Sequence, residues 1–305
     1  MSRPTGTVNP VADPGLIAFI ALILGAVAMG ASPIFVRFAE VGPFTSAFWR
    51  VFLALPALWF WSHREQAAAA AGNTGQSSDP GALAAIGIAG LLFSGDLIFW
   101  HLAIVNTSVA NATFLATLAP VWVVLGSRLL LGERVERNVF MGLALGLAGM
   151  ACLIGGTITL RPQNLDGDLY GVATSFFFGG YFLAVRRARR SIGSGRTLFL
   201  STIVTSAVLL IFALALEDRI WPLTIYGVAA LAALALISHA GGQGLLAFAL
   251  GYLPAAFSAL VIFVEAIAAA ALGWLILGEA IGLTQLLGAV AIFAGITIAR
   301  PRRAR

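Results

Sequence analysis

Two carboxylates, Asp96 and Glu265, stand inside long apolar stretches. A charge surrounded by hydrocarbon is expensive, so such a residue is kept for binding, for proton traffic or for a specific bond to a neighbouring helix. Asp96, in Phe93-Ser94-Gly95-Asp96, has all three readings: it can bind a substrate amine, carry a proton, or hold a hydroxyl or an arginine on the next helix. Glu265 can be a proton carrier or a structural hydrogen-bonding device. His101 follows Asp96 by five residues, which turns it about 140° around a helix and off the same stripe. His239 and Gln243 are four apart and share a face. Gly241, Gly242 and Gly244 beside them permit close helix approach or a local break. Each histidine can serve function or simply be hydrogen-bonded within a helix bundle.

Weaker candidates surround these. Asn111, Thr113 and Thr117 put polar groups along one apolar stretch, but Asn111 and Thr117 are six apart, so at most two of the three share a face. Ser32-Pro33 can distort a helix and free a carbonyl for a ligand. Trp100, Trp122, Phe178 and Tyr181 can stack on a planar or apolar substrate, or pack between helices and in an interfacial belt. Arg50 can snorkel outward, neutralise Asp96 or bind a substrate carboxylate, and the sequence leaves the three open. The expected substrate-binding set is Ser32, Asp96, Trp100, His101, Asn111, Tyr181, His239, Gln243 and Glu265, with Asp96 and Glu265 as the proton-coupling candidates. No catalytic set, cofactor or metal site is expected, because three scattered histidines and the single Cys152 do not make a zinc site.

The elements that must position these residues follow from composition. Of 305 residues, 60% are hydrophobic and 10% charged, against about 45–50% and 25% in a soluble domain. So few charges cannot cover a water-soluble surface, one cysteine excludes a disulfide scaffold, and the hydrophobicity excludes disorder. Ten apolar stretches are legible: Leu16–Val36, Phe44–Ser62, Leu83–Ala103, Ala110–Leu130, Val139–Thr157, Leu169–Val185, Thr197–Leu216, Thr224–Leu250, Ala255–Leu277 and Leu283–Ala299. They do not alternate apolar with polar as barrel strands do, so they predict an all-α polytopic membrane protein of ten transmembrane helices. Gly/Pro turns such as Gly42-Pro43 and Asp79-Pro80-Gly81 separate them, and Gln66–Gly81, Ala-rich and then Gly/Ser-rich, reads as a flexible connector. The first stretch reads as a mature helix rather than a signal peptide.

All eighteen basic residues are arginine and the net charge is +5. With the N-terminus in the cytoplasm, fourteen arginines fall on the cytoplasmic side, among them Arg186, Arg187, Arg189 and Arg190. Arg37, Arg161 and Arg219 fall opposite and Arg50 lies within a span. That positive-inside bias puts both termini in the cytoplasm and makes the arginines topology markers that touch lipid, not nucleic acid. Displacing the chain by 146 residues lays Leu131-Gly132-Glu133 on Leu277-Gly278-Glu279, and Gly142 and Gly149 on Gly288 and Gly295. A repeat of five spans is odd, so the second copy enters the bilayer inverted, with Glu133 and Glu279 on opposite sides. Two inverted five-helix repeats around a central cavity are the basis of alternating access. The glycine stripes on spans five and ten read as close-packing scaffold or a dimer face.

The paired Leu-Gly-Glu ends, the ten spans in two halves and the hairpin from Gly30-Ala31-Ser32-Pro33 to Trp49-Arg50 resemble the drug/metabolite transporter superfamily, EamA-type exporters. The family's Glu-Pro on the fourth helix of each repeat is split here into Ala119-Pro120 and Glu265-Ala266. Within the superfamily the Trp-rich spans and Val41-Gly42-Pro43 look most like the aromatic amino-acid exporter branch. The resemblance implies a bacterial inner-membrane protein with a tail over 1–14, repeats over 15–160 and 161–300, and a basic tail over 301–305. It also implies a small-molecule substrate and a monomer or homodimer. A secondary transporter exporting small metabolites, amino acids and possible aromatic ones first, competes with export of a drug, nucleoside or sugar derivative. An intramembrane enzyme would need a nucleophile–base pair or a metal cluster, and a channel a lining repeated around an axis. No Gly-x-x-x-x-Gly-Lys motif and no lysine exist, so transport would run without ATP.

Overall fold

The structure is a computed structural model that describes residues 13–72, 79–107, 109–154, 164–278 and 280–301. Among the described residues it is helical without strands. Nine apolar helical segments of 18 residues or more and a tenth of 17, Leu283–Ala299, supply the ten spans.

Five of the spans are interrupted, and the interruptions have local causes. Span one is α1 (Pro14–Gly30) then α2 (Ser32–Arg37), span two is α3 (Pro43–Phe52) then α4 (Leu55–Ala71), and span four is α6 (Val109–Ala116) then α7 (Ala119–Leu131). Pro33, Pro56 and Pro120 stand at the starts of α2, α4 and α7. Proline lacks the N–H of an interior turn but suits the first turn of a new helix. Span nine, α13 (Ala255–Val261) and α14 (Phe263–Leu277), changes helix at Ile262 without a proline. Span eight runs from α11 (Ile225–Ala233) through a ten-residue π-helix, Leu234–Gln243, into α12 (Gly244–Ala249). Spans three, five, six, seven and ten are unbroken: α5 (Pro80–Asn106), α8 (Arg137–Ile154), α9 (Leu165–Ala188), α10 (Ser194–Leu216) and α15 (Leu283–Ala299). The connector expected over Gln66–Gly81 is shorter than the sequence suggested, because the alanines through Ala71 continue α4, as the best helix formers do. Positions 73–78 lie outside the described residues.

The two halves run in opposite senses, and the packing shows it directly. A methyl added to Gly142 on α8 would stand 2.5 Å from the Gly295 carbonyl oxygen of α15, and one on Gly149 would stand 2.7 Å from that of Gly288. The lower number on one helix meets the higher on the other, so spans five and ten are antiparallel and cross backbone on backbone. Gly142 and Gly149 are also the repeat mates of Gly288 and Gly295, which places a two-fold axis at this crossing. Parallel neighbours repeat the relation. Gly179 of α9 abuts the Ala119 carbonyl and Trp122 of α7, as Gly30 of α1 abuts the Glu265 carbonyl and Ala268 of α14. Both fourth helices of the repeats end on a left-handed glycine, Gly132 (φ 67°) and Gly278 (φ 70°). Their N–H groups bond to Ser127 and Gly273, themselves 146 residues apart.

Carboxylates reach between the halves to cap helices. Glu217, at the end of span seven, accepts from Phe44 N (2.6 Å) and Thr45 N (3.0 Å) at the start of span two. Glu65, at the end of span two, accepts from Ser194 Oγ (3.2 Å) and Arg196 N (3.2 Å) at the start of span seven. Such bonds satisfy amides that a helix start leaves unpaired. Glu65 and Glu217 are 152 residues apart and Gly30 and Gly179 are 149, so the gapless displacement of 146 holds only from span three onward; connections of unequal length shift the register before it.

Candidate functional site

A cavity of about 230 Å³ opens where the interrupted helices of both halves converge. Its wall is made by Met29, Gly30, Ser32 and Pro33 at the break in span one, and by Phe93, Asp96, Leu97 and Trp100 on α5. Thr113, Thr117, Ala119 and Pro120 come from the break in span four, and Ile262, Phe263, Glu265 and Ala266 from the break in span nine. Arg50 enters from α3, Phe178 and Phe182 from α9, and Gln243 from the end of the π-helix. Ligand pockets for drug-sized molecules run at about 300–1,000 Å³, so this space suits a small metabolite.

Three ionisable side chains from three spans face this space: Arg50, Asp96 and Glu265. Among the described residues the ion pairs are Arg186–Glu133 and Arg190–Glu133, so none joins Arg50 to either cavity carboxylate. Arg50 Nε is buried without a hydrogen-bond partner, and its guanidinium lies 5.9 Å from the Phe93 ring centroid. Ser32 Oγ is likewise buried and unpartnered. Glu265 occupies the first turn of α14, where the exposed N–H ends of a helix favour a negative charge.

The expected site residues divide into two layers. Ser32, Asp96, Trp100, Gln243 and Glu265 line the cavity. Tyr181 does not; its hydroxyl donates to Gln243 Oε1 (3.1 Å) and so positions that amide from behind. His239 sits outside the wall, bonded through Nε2 to Thr202 Oγ1 (3.0 Å) and stacked 5.6 Å from Phe93. His101 points away from the cavity toward Phe44, with Nδ1 on the Leu97 carbonyl (2.5 Å), as its turn from Asp96 around the helix requires. Asn111 donates to Asp168 Oδ1 (3.1 Å), which also takes the Thr107 hydroxyl (2.7 Å) and ties spans three and four to the start of span six. Of the aromatic candidates, Trp100 and Phe178 line the space, while Trp122 spends its indole N–H on Ser175 Oγ (2.8 Å).

Arg50 is the site residue the sequence could not place. Its neighbour Phe93 carried no signal at all, being one apolar residue among many. The arginine run after span six, read as a topology marker, also makes a lock. Arg186 Nε donates to Glu133 Oε1 (2.6 Å) and Arg186 Nη1 to the Leu250 carbonyl (2.5 Å). Arg190 Nη2 donates to the Leu131 carbonyl (2.6 Å), and Glu133 Oε2 accepts from Ala255 N (3.0 Å) at the start of α13. At this end α13 packs on α7; their repeat mates, α6 and α14, make no comparable contact among the described residues. Glu279, the mate of Glu133, lies outside the described residues.

Ten apolar spans in two inverted halves, converging on a charged cavity, define a polytopic membrane transporter. The chain belongs to the EamA-like transporter family, whose pattern matches it twice, over 16–155 and 165–300. It is 28% identical over 200 residues to an uncharacterized transporter of Archaeoglobus fulgidus, covering 65% of this chain and 69% of that one. It is 26% identical over 222 residues to the pseudopaline exporter CntI of Pseudomonas aeruginosa, covering 71% and 74%. A protein of known crystal structure shares the fold, with TM-score 0.74 at 22% identity over 94% of this chain and 97% of that one.

Proposed function

We propose that the protein is a secondary exporter of small metabolites of the amino-acid class, aromatic ones included, working by alternating access without ATP. It would sit in a bacterial inner membrane with both termini in the cytoplasm. The observation that carries this reading is the set of Arg50, Asp96 and Glu265, facing one cavity between inverted halves with no ion pair among them. Groups left unpaired in a membrane interior mark a substrate or ion path. The broken spans four and nine support it, since carriers bind at the midplane on discontinuous helices. The asymmetry of the ends supports alternation. The Glu133 lock closes the Arg-rich end while the mated helices stand apart at the other, and the inverted partner state exchanges the two. In this reading Asp96 and Glu265 also take up and release protons. A relative that exports pseudopaline supports the direction of transport.

The test is counterflow of labelled amino acids into liposomes holding the purified protein. Saturable flux that unlabelled amino acids compete is expected, falling at least about tenfold in Asp96→Asn and Glu265→Gln. Non-saturating, pore-like flux would overturn the carrier. Wild-type rates in both variants across pH 5–8 would overturn the proton role.

A further inference from the structure

We infer that Arg50 is the carboxylate anchor of the cargo site, gripping a free carboxylate on the cargo while Asp96 and Glu265 hold its ammonium group. The inference rests on the transport reading and names the chemistry the cargo must carry. A guanidinium is a planar fork of donors matched to the two oxygens of a carboxylate. Inside a membrane protein such a fork is ordinarily saturated by an acidic side chain or by carbonyls. Here Nε is buried with no hydrogen-bond partner, the Phe93 ring lies 5.9 Å from the guanidinium, and Glu265 and Asp96 act on it electrostatically without forming an ion pair with it. Its unmet donors sit in the cavity wall, so a ligand is what can meet them. The two acids in the same wall supply acceptors of opposite sign, and a molecule bearing one carboxylate and one ammonium satisfies both sets without adding net charge to the site. The unpartnered Ser32 hydroxyl adds a further hydrogen-bonding group. Trp100, Phe178 and Phe263 give the wall an apolar stretch that suits the cargo's side chain, beside the polar Thr113, Thr117, Thr174 and Gln243. Had Arg50 served only to neutralise the acids, direct pairing with one of them would be the cheaper arrangement in hydrocarbon.

Matched ligands separate the two roles. The probes are L-phenylalanine, L-leucine and L-histidine, each beside its own amide, which keeps the ammonium and side chain but lacks the carboxylate. Binding is measured by calorimetry on the full chain in lipid nanodiscs. In the wild type at least one acid is expected to bind ten- to a hundredfold tighter than its amide, the range of a charge-assisted pair. In Arg50→Gln that ratio falls to about one while the amide's own Kd holds, which also shows that the variant is folded. Arg50→Lys, a point charge in place of a fork, gives an intermediate ratio and serves as the reading if Arg50→Gln does not fold. Equal binding of acid and amide in all three wild-type pairs, failure of all three acids to bind, or a ratio that survives in both variants overturns the assignment. Saturable counterflow of amides as fast as acids would leave the carrier standing and remove only Arg50's role; no saturable counterflow of either would remove both.

Discussion

The two halves share a scaffold and differ in chemistry. Gly30 and Gly179, Gly132 and Gly278, Glu65 and Glu217 do the same jobs on opposite sides of the axis. The cavity charges have no such mates. Displaced by 146, Asp96 falls on Gly242 and Glu265 on Ala119; displaced by the 151 residues that separate the helix starts Gly42 and Gly193, Arg50 falls on Ser201, whose hydroxyl is spent on the Leu198 carbonyl (3.1 Å). Helix breaks differ too: the first half interrupts spans one and two, whereas their mates, α9 and α10, run through. Symmetric packing is what the proposed exchange between two arrangements of the bundle needs, and charges present in one half only are what the proposed single orientation of the cargo needs.

The hardest test of that contrast moves a charge across the axis. Glu265→Ala with Ala119→Glu keeps the charge count and hands the acid to the other half. If the halves were chemically interchangeable, transport would return. The expected outcome is a loss of at least about a hundredfold in counterflow, no better than Glu265→Ala alone, because the site fixes geometry as well as charge. Scaffold positions should behave the other way. Gly142→Val and Gly288→Val, repeat mates 146 residues apart, each drive side-chain atoms into a facing backbone, so each is expected to cost about 1–3 kcal/mol or more and to lower the melting temperature alike. Gly87→Ala, which meets nothing within 4 Å, should leave it unchanged or raised, and unequal losses at the two mates would break the symmetry argument.

The smallest effect concerns pH. Glu40 holds a left-handed backbone (φ 58°) because its carboxylate accepts from Thr224 Oγ1 (2.8 Å), Thr224 N (2.8 Å) and Leu223 N (3.1 Å). These bonds, the Thr224 hydroxyl first, hold its pKa below the ordinary carboxylate value. A depressed folded pKa gives stability that is present above the unfolded pKa and lost as pH falls through the folded one. Melting temperature should therefore drop on acidification below about pH 4. Glu40→Gln should flatten that slope, and an unchanged slope would remove Glu40 from the account.

Sequence patterns carried the span count because about twenty consecutive apolar residues have few alternatives. The break at Pro33 was legible in Ser32-Pro33, and Gly241-Gly242 hinted at the disturbed span eight; Pro56 and Pro120 stand at the breaks in spans two and four, which the sequence reading does not mark. The break at Ile262 was not legible, since no residue there refuses a helix. Asp96, Glu265, Ser32, Trp100 and Gln243 were found as polar or aromatic groups in apolar surroundings. The same signal swept in His101, Asn111, Tyr181 and His239, whose partners come from their own preceding turn or from helices far away in the chain. Arg50 stayed ambiguous because helix rotation is decided by neighbours. Glu133 was visible as a motif but not as a lock, since Arg186 and Ala255 lie in the other half.

The glycine seam between α8 and α15 is self-complementary: Gly142 meets Gly295 as Gly288 meets Gly149. A lone half-length polypeptide could make the same seam with a copy of itself only if the membrane machinery inserted it both ways up in equal number. Fusing the copies guarantees one of each in every molecule, and it lets one copy alone acquire an arginine or an acid without imposing it on the other.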